Sequence, residues 1–319
     1  MSANLPEGHV PADWCILCPD MLRSLRYLAF FFFVAIGVAQ TPSDATRTVI
    51  LPITIIGKDS KPLPSGFVPT KEMLLLKEDG KPVEVVELKP VGDVPRRIVI
   101  LFDASASGRA ALVGNKRAAT VLIQSVLRPG VDSACLAVFN QTGSGATEFI
   151  KDTKTLIGLI ERIGVSGSTP LFDNLDAVLR ERVMSAQTRD PHMSDYVFVI
   201  TDGDDTTSKT TRDEVERTAQ MLKTSLNFIT LENERDRGRG RNIANEFASN
   251  TGGLTVLPID YDNIDDQVRR FERELAQRFL LTYHTNRLPA QNNKAIDLKI
   301  ELAPKVKNVV VRMQQLRIQ

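Results

Sequence analysis

Five short apolar runs dominate the middle of the chain, at 98–102, 134–139, 196–201, 226–231 and 254–258. Arg97-Ile-Val-Ile-Leu-Phe102 is typical of them. It is unbroken, rich in β-branched residues and too short for a helix, which is the pattern of a strand buried on both faces. Between the runs, apolar residues recur every three or four positions over 110–127, 153–163, 171–186, 212–224, 242–249 and 264–278. Leu171, Leu175, Val178 and Leu179 mark one such helical face. Strand and helix in alternation predict an α/β, doubly wound, mainly parallel sheet of Rossmann-like type, covered on both sides. Residues 147–150 read as an antiparallel edge strand.

The two ends of the chain follow another period. Residues 48–56 are β-rich and partly alternating, and Pro62, Pro64, Gly66 and Pro69 then break the chain into a loop. Residues 72–77 read as a strand, Glu78-Asp79-Gly80-Lys81 as a hairpin turn and 83–88 as the return strand. Pro90, Gly92 and Pro95 form a linker. Strands are expected again at 279–283, 295–302 and 306–312, with turn signals at 289–293 and Ala303-Pro304 and no helical pattern. Neither group has enough strands to bury a core by itself. The expectation is one small β-sandwich built from N- and C-terminal strands, with the α/β domain inserted into it. The corresponding boundaries are 1–40 for a leader, 41–94 and 281–319 for the two parts of the sandwich, and 95–280 for the α/β domain.

Composition adds little to the fold but restricts function. The chain has 319 residues, with Lys+Arg 40 against Asp+Glu 39, so nothing at whole-chain level marks a nucleic-acid binder. The local exception, Arg235-Asp-Arg237-Gly-Arg239-Gly-Arg241, is read as a solvated loop between strand and helix rather than as a basic patch beside a partner. Near the N-terminus, Arg23 and Arg26 precede an apolar run at 27–39 that contains four consecutive phenylalanines, Phe30 to Phe33. That is the layout of a secretory signal, and the run is shorter than the ~20 residues a spanning helix needs. Gly37-Val-Ala39 before Gln40 offers a cleavage site, and Met21 is a more natural start than Met1. The expected location is periplasmic or secreted, with a membrane tether only if the leader stays uncleaved. Cys15 and Cys18 fall in that leader with no second pair, and Cys135 reads as an inert buried thiol. The mature chain then holds no internal disulfide. His9, His192 and His284 are far apart, without zinc spacing.

The candidate chemistry lies where the first apolar run ends. Asp103-Ala-Ser105-Ala-Ser107 follows Phe102, and Gly108 then opens a helical pattern. In open α/β sheets the carboxyl ends of the strands are where ligands bind. Carboxylate and hydroxyl oxygens are hard ligands, suited to a small hard cation such as Mg²⁺. The same spacing is also that of an Asx turn capping a helix. Two later segments add to it. Gly167-Ser168-Thr169-Pro170 precedes another helical pattern, and the run from Tyr196 ends in Thr201-Asp202-Gly203. Three strand or loop ends thus supply Asp103, Ser105, Ser107, Thr169 and Asp202. Asp204 and Asp205 follow directly and are read as solvated loop carboxylates.

Taken in order, these segments resemble the metal-ion-dependent adhesion site of the von Willebrand factor type A domain. That site reads D-x-S-x-S, then a threonine, then an aspartate in a T/S-D-G context, and all five positions match over roughly 95–279. Ala106 departs from the glycine that many members carry there. The resemblance implies that the serines and the threonine bind the ion directly or nearly so, and the aspartates directly or through water. It also implies a coordination position left for an Asp or Glu carboxylate of a protein partner. A site built largely from neutral hydroxyls leaves positive charge on the ion, which favours such an anion. Mg²⁺ is the expected ion, while Mn²⁺ and Ca²⁺ also accept oxygen ligands. The segment from Leu74 to Val83 further resembles secreted bacterial proteins with a von Willebrand-related domain, described mostly from Acidobacteria.

The expected function is an extracytoplasmic, metal-dependent protein-binding or adhesion module, not an enzyme. No histidine lies near the motif segments, no Walker-type loop is present, and Gly164-Val-Ser-Gly-Ser168 fails the G-x-S-x-G pattern at its last position. Two alternatives stand beside it: a structural subunit of an envelope complex in which the ion only orders loops, and a metal-assisted hydrolase using Asp202, Asp204 and Asp205. The oligomeric state is left open.

Overall fold

The computed structural model describes residues 46–140, 143–189, 193–231, 238–258, 262–286 and 296–314. The expected leader with Cys15, Cys18 and His9, together with His192, Arg235 and Arg237, lies outside the described residues. Four strands come first: β1 (Arg47–Gly57), β2 (Leu74–Glu78), β3 (Lys81–Val83) and β4 (Val85–Pro90). The α/β part runs β5 (Arg96–Asp103), α1 (Leu112–Val126), β6 (Ser133–Asn140), β7 (Gly143–Ala146), α2 (Thr153–Glu161) and α3 (Leu171–Val178). A π-helical stretch at Leu179–Met184 leads from α3 into α4 (Ser185–Arg189), followed by β8 (Ser194–Ile200) and α5 (Arg212–Met221). Next come β9 (Ser225–Ile229), α6 (Arg239–Thr251), β10 (Thr255–Val256) and α7 (Ile264–Ala276). Strands β11 (Arg278–Thr285), β12 (Leu298–Leu302) and β13 (Val309–Met313) follow.

The six-stranded sheet has the order β10-β9-β8-β5-β6-β7. Every neighbouring pair is parallel except β6–β7, which is antiparallel. Side chains on β5 alternate between the two faces. Ile98, Ile100 and Phe102 join a cluster with α1, α2 and α7, while Val99 and Leu101 join one with α3, α5 and α6. This double burial explains the unbroken apolar run, since neither face of the strand meets water. Each of these side chains is at most 1% exposed, and full burial of such a residue stabilises by roughly 1.5–3 kcal/mol.

The edge strand lies at Gly143–Ala146, earlier than the expected 147–150. At Thr147 the ladder changes hands: Leu136 N donates to the Thr147 hydroxyl (3.0 Å), and Cys135 Sγ donates to the Thr147 carbonyl (3.1 Å). Only an isolated bridge, Ala134 with Ile150, continues beyond it. Burial raises the Cys135 thiol pKa, which suppresses the reactive thiolate.

The remaining strands form two antiparallel sheets, β13-β1-β11-β4 and β12-β2-β3. Segments from before the α/β part therefore pair with segments from after it. One apolar cluster draws on both sheets, including Leu51, Ile53, Leu74, Leu76, Leu281 and Leu298. The expected single return strand at 83–88 divides at Glu84. Its first part pairs with β2, and its second crosses to pair with β11 in the other sheet. At the junction with the α/β part, the buried Arg278 donates to Thr54 Oγ1 (3.0 Å), Gly252 O (3.1 Å) and Ser225 Oγ (2.9 Å). Its guanidinium lies 5.3 Å from the centroid of the Tyr196 ring. Among the described residues, no helix is long and apolar enough to cross a membrane.

Candidate metal centre

The site begins with strand register. Strands β5 and β8 are parallel neighbours, with Phe102 opposite Ile200 as the last pair. Asp103 and Thr201 therefore leave the sheet side by side at its carboxyl edge. The Thr201 hydroxyl donates to Asp103 Oδ2 at 2.7 Å, and it accepts from Gly203 N at 3.0 Å. Ser105 N donates to the other carboxylate oxygen, Oδ1, at 2.8 Å. Asp103 is 2% exposed, and no salt bridge forms to it among the described residues. Burial pushes its pKa from the usual 3.8 up to about 6, against the pull of the bonds from Thr201 and Ser105, and the nearby charge of Asp202 pushes the same way as burial.

Backbone hydrogen bonds lace the second segment to the first. Ala106 N donates to Gly167 O (3.0 Å), and Ser166 N donates to Ala104 O (2.8 Å). Thr169, buried like Ser105, follows directly. The third segment is laced to the second: Thr206 N donates to Thr169 O (3.1 Å), and Thr169 N donates to Thr206 Oγ1 (3.4 Å). Asp103, Ser105, Thr169 and Asp202 thus belong to one stitched rim. Ser107 opens the short 3-10 turn Ser107–Ala111 that leads into α1, and its side chain lies outside the described residues. Ala106 has φ −66° and ψ −27°, an ordinary right-handed conformation, so glycine is not required at this position.

Of the two carboxylates expected to be solvated, that of Asp205 is bonded within the loop. Asp205 Oδ1 accepts from Phe172 N (3.2 Å) and from Ser208 Oγ (2.6 Å). Asp204 is half-buried, and its N–H donates to Asp202 Oδ1 (3.3 Å). Asp173 holds the same loop, accepting from Lys209 N (3.1 Å) and Thr210 N (2.8 Å). Burial works to raise the Asp173 pKa, but these hydrogen bonds outweigh it and the carboxyl stays below its usual range. Sequence reasoning missed the roles of Thr201 and Asp205. For Thr201 a signal existed, because it occupies the hydroxyl position of the T/S-D-G context; for Asp205 there was none.

The residues expected to hold an ion offer oxygen alone: carboxylates from Asp103 and Asp202 and hydroxyls from Ser105 and Thr169. Among the described residues, no group of three or more His, Cys, Asp or Glu side chains gathers to hold a metal. A cation at this rim must therefore draw on hydroxyls and water as well as carboxylate, which fits a hard divalent ion better than a soft one.

No family model matches the chain, and no curated protein matches it either. Several solved structures are similar at low identity. A von Willebrand factor type A protein from Catenulispora acidiphila is 11% identical over 78% of this chain and 74% of its own, with a TM-score of 0.46. The conserved hypothetical protein BatB from Bacteroides thetaiotaomicron is 14% identical over 56% of this chain and 98% of its own, with a TM-score of 0.43. The vWF domain of the type V pili tip protein Mfa5 from Porphyromonas gingivalis is 10% identical over 56% and 94%, also with a TM-score of 0.43. Likenesses this distant leave the function to be read from the residues of the chain itself.

Proposed function

We propose that this chain is an extracytoplasmic protein-binding module of von Willebrand factor type A kind, dependent on a divalent cation. Asp103, Ser105, Ser107, Thr169 and Asp202 would hold the ion, Mg²⁺ in the first instance. When bound, the ion supplies a positive centre with an exchangeable position, which an Asp or Glu carboxylate of a protein partner completes. The observation that carries this reading is the buried Asp103 carboxylate where three stitched segments meet, bonded by Thr201 and Ser105 and with no basic partner among the described residues. The β-sandwich built from both chain ends would carry the module, and the segment at 27–39 would direct it out of the cytoplasm.

The chain's own groups divide the work. Thr201 holds Asp103 and the Gly203 peptide together, so the two aspartate arms keep a fixed separation. Ser105 N fixes the other Asp103 oxygen. Hydrogen bonds between the segments join the loops that carry Asp103, Thr169 and Asp202. Of the three carboxylates the hydrolase alternative would use, Asp205 is committed to Phe172 N and Ser208 Oγ, so it is not placed as a general base.

The test is affinity capture from envelope extracts with the full-length chain, with Mg²⁺ or with excess chelator, beside an Asp202→Ala variant. Capture of one partner that is lost both with chelator and in the variant supports the proposal. Equal capture in all three arms rejects it.

A further inference from the structure

We propose that the glycine-to-glycine contact between Gly203 and Gly240 makes the first turn of α6 the positioning element for the Asp202 arm of the metal centre. Gly203 follows Asp202 directly and has φ +82°, a left-handed conformation that disfavours any side chain. A Cβ built on Gly203 would lie 2.5 Å from Gly240 O and 2.7 Å from its carbonyl carbon. In the other direction, a Cβ on Gly240 would overlap the Asp202 carbonyl oxygen and lie 2.9 Å from the Gly203 carbonyl carbon. The two backbones therefore touch with no room for even a methyl group on either side.

The contact matters because of what lies opposite. Gly203 N is held by the Thr201 hydroxyl, which is itself held by Asp103. The peptide that carries Asp202 is gripped from the sheet side by Thr201 and from behind by α6. Helix α6 is a firm backstop. Its buried Ala244 and Phe247 belong to the core cluster, and Phe247 meets Phe172 edge-on at 5.5 Å and stacks on Phe228 at 5.8 Å. The Arg/Gly stretch expected to be a solvated loop thus ends in structure: Arg239, Gly240 and Arg241 are helical, and Gly240 is buried. Glycine is a poor helix former, so its presence in the first turn points to the close approach it permits.

This inference rests on the metal reading, and the test separates the two. Gly240→Ala is compared with wild type and with Gly253→Ala. A Cβ on Gly253 would overlap the Leu226 carbonyl oxygen at the start of β9, the end of the sheet away from the rim, so that variant strains the fold without touching Asp202. Mg²⁺ affinity is measured by calorimetry, and amide exchange at Gly203 by NMR in the presence of chelator. Gly240→Ala is expected to weaken Mg²⁺ binding about 10–100-fold, the range for residues that support metal ligands, and to speed Gly203 exchange. Gly253→Ala is expected to lower the melting temperature while leaving both readouts at wild-type values.

Unchanged affinity and exchange in Gly240→Ala would overturn the inference alone. A wild type that binds no Mg²⁺ would remove the metal reading and this inference with it. Should Gly240→Ala not fold, Mg²⁺ titration of the wild type decides: the amide shifts of Gly203 and of Gly240 and Arg241 must move with one midpoint. A Gly203 response without any response in α6 overturns the proposal.

Discussion

Replacing Thr201 by valine removes one hydroxyl and keeps the shape of the side chain. Thr201 is fully buried, and its hydroxyl makes two bonds, donating to Asp103 Oδ2 at 2.7 Å and accepting from Gly203 N at 3.0 Å. A hydrogen bond to a charged group contributes about 1.5–3 kcal/mol, and a buried N–H left without its acceptor costs about 1–3 kcal/mol. The metal-free protein should therefore lose about 3–5 kcal/mol at pH 7.5. At about 2 °C per kcal/mol for a chain of this size, the melting temperature should fall by roughly 6–10 °C.

The same substitution has a pH signature. The Asp103 pKa, about 6 against the usual 3.8, is raised in the fold. As pH falls through 6 the folded protein takes up a proton that the unfolded chain does not yet bind, so this group adds stability on acidification, about 2 kcal/mol by pH 4. A protonated Asp103 makes only neutral hydrogen bonds, so the penalty of Thr201→Val should shrink between pH 7.5 and pH 5. Saturating Mg²⁺ favours the charged carboxylate and should remove the gain on acidification. Urea denaturation of both proteins at the two pH values, with chelator and with Mg²⁺, measures all of this. A penalty below 0.5 kcal/mol at pH 7.5, within the range of ordinary surface changes, would refute the assignment of Thr201 as the tie between the two arms.

Away from the site, Asp132 is buried and accepts from Arg96 N (2.8 Å), Arg128 N (2.9 Å), Arg128 Nε (3.0 Å) and Arg128 Nη2 (2.7 Å). Burial alone would raise its pKa, but these bonds hold it below the usual range. Its stabilisation is therefore present above the unfolded value of 3.8 and lost as pH falls below it. Asp132→Asn should cost about 3 kcal/mol in urea denaturation at pH 7 and less at pH 3, and an equal cost at both would contradict the assignment. Ala106→Gly should lower the melting temperature, by about 1 kcal/mol of stability, and leave Mg²⁺ affinity unchanged, because φ is already −66° and glycine adds only unfolded-state freedom. Tighter Mg²⁺ binding in that variant would show that alanine strains the loop.

The α/β part was legible because its strands bury both faces, so apolar runs such as 98–102 stand out without knowledge of the partner strands. Asp103 was legible for the same reason, as the first polar residue after such a run. Thr201 was visible only as a neighbour of Asp202, since its bond to Asp103 depends on the register between β5 and β8. The split of the return strand at Glu84 was hidden, because alternation along a strand gives its period and not the sheet it joins. In sequence Asp205 looks like any loop carboxylate and Asp173 like any carboxylate in the first turn of a helix, and their roles come from the backbone N–H groups turned toward them. Gly240 was masked by composition: an Arg/Gly stretch reads as solvated loop, whereas its last residues form the opening turn of α6 against Asp202.

One divalent ion held at the rim, with a position open to a carboxylate, is the central requirement of the proposed function. Mn²⁺ can be titrated into metal-free full-length protein while water proton relaxation is followed, and a short glutamate-containing peptide then added. The expected result is one ion per chain, absent in Asp103→Ala and Asp202→Ala variants that remain folded, with the relaxation enhancement falling as peptide displaces bound water. Binding of Mn²⁺ to either variant with wild-type affinity would contradict the account.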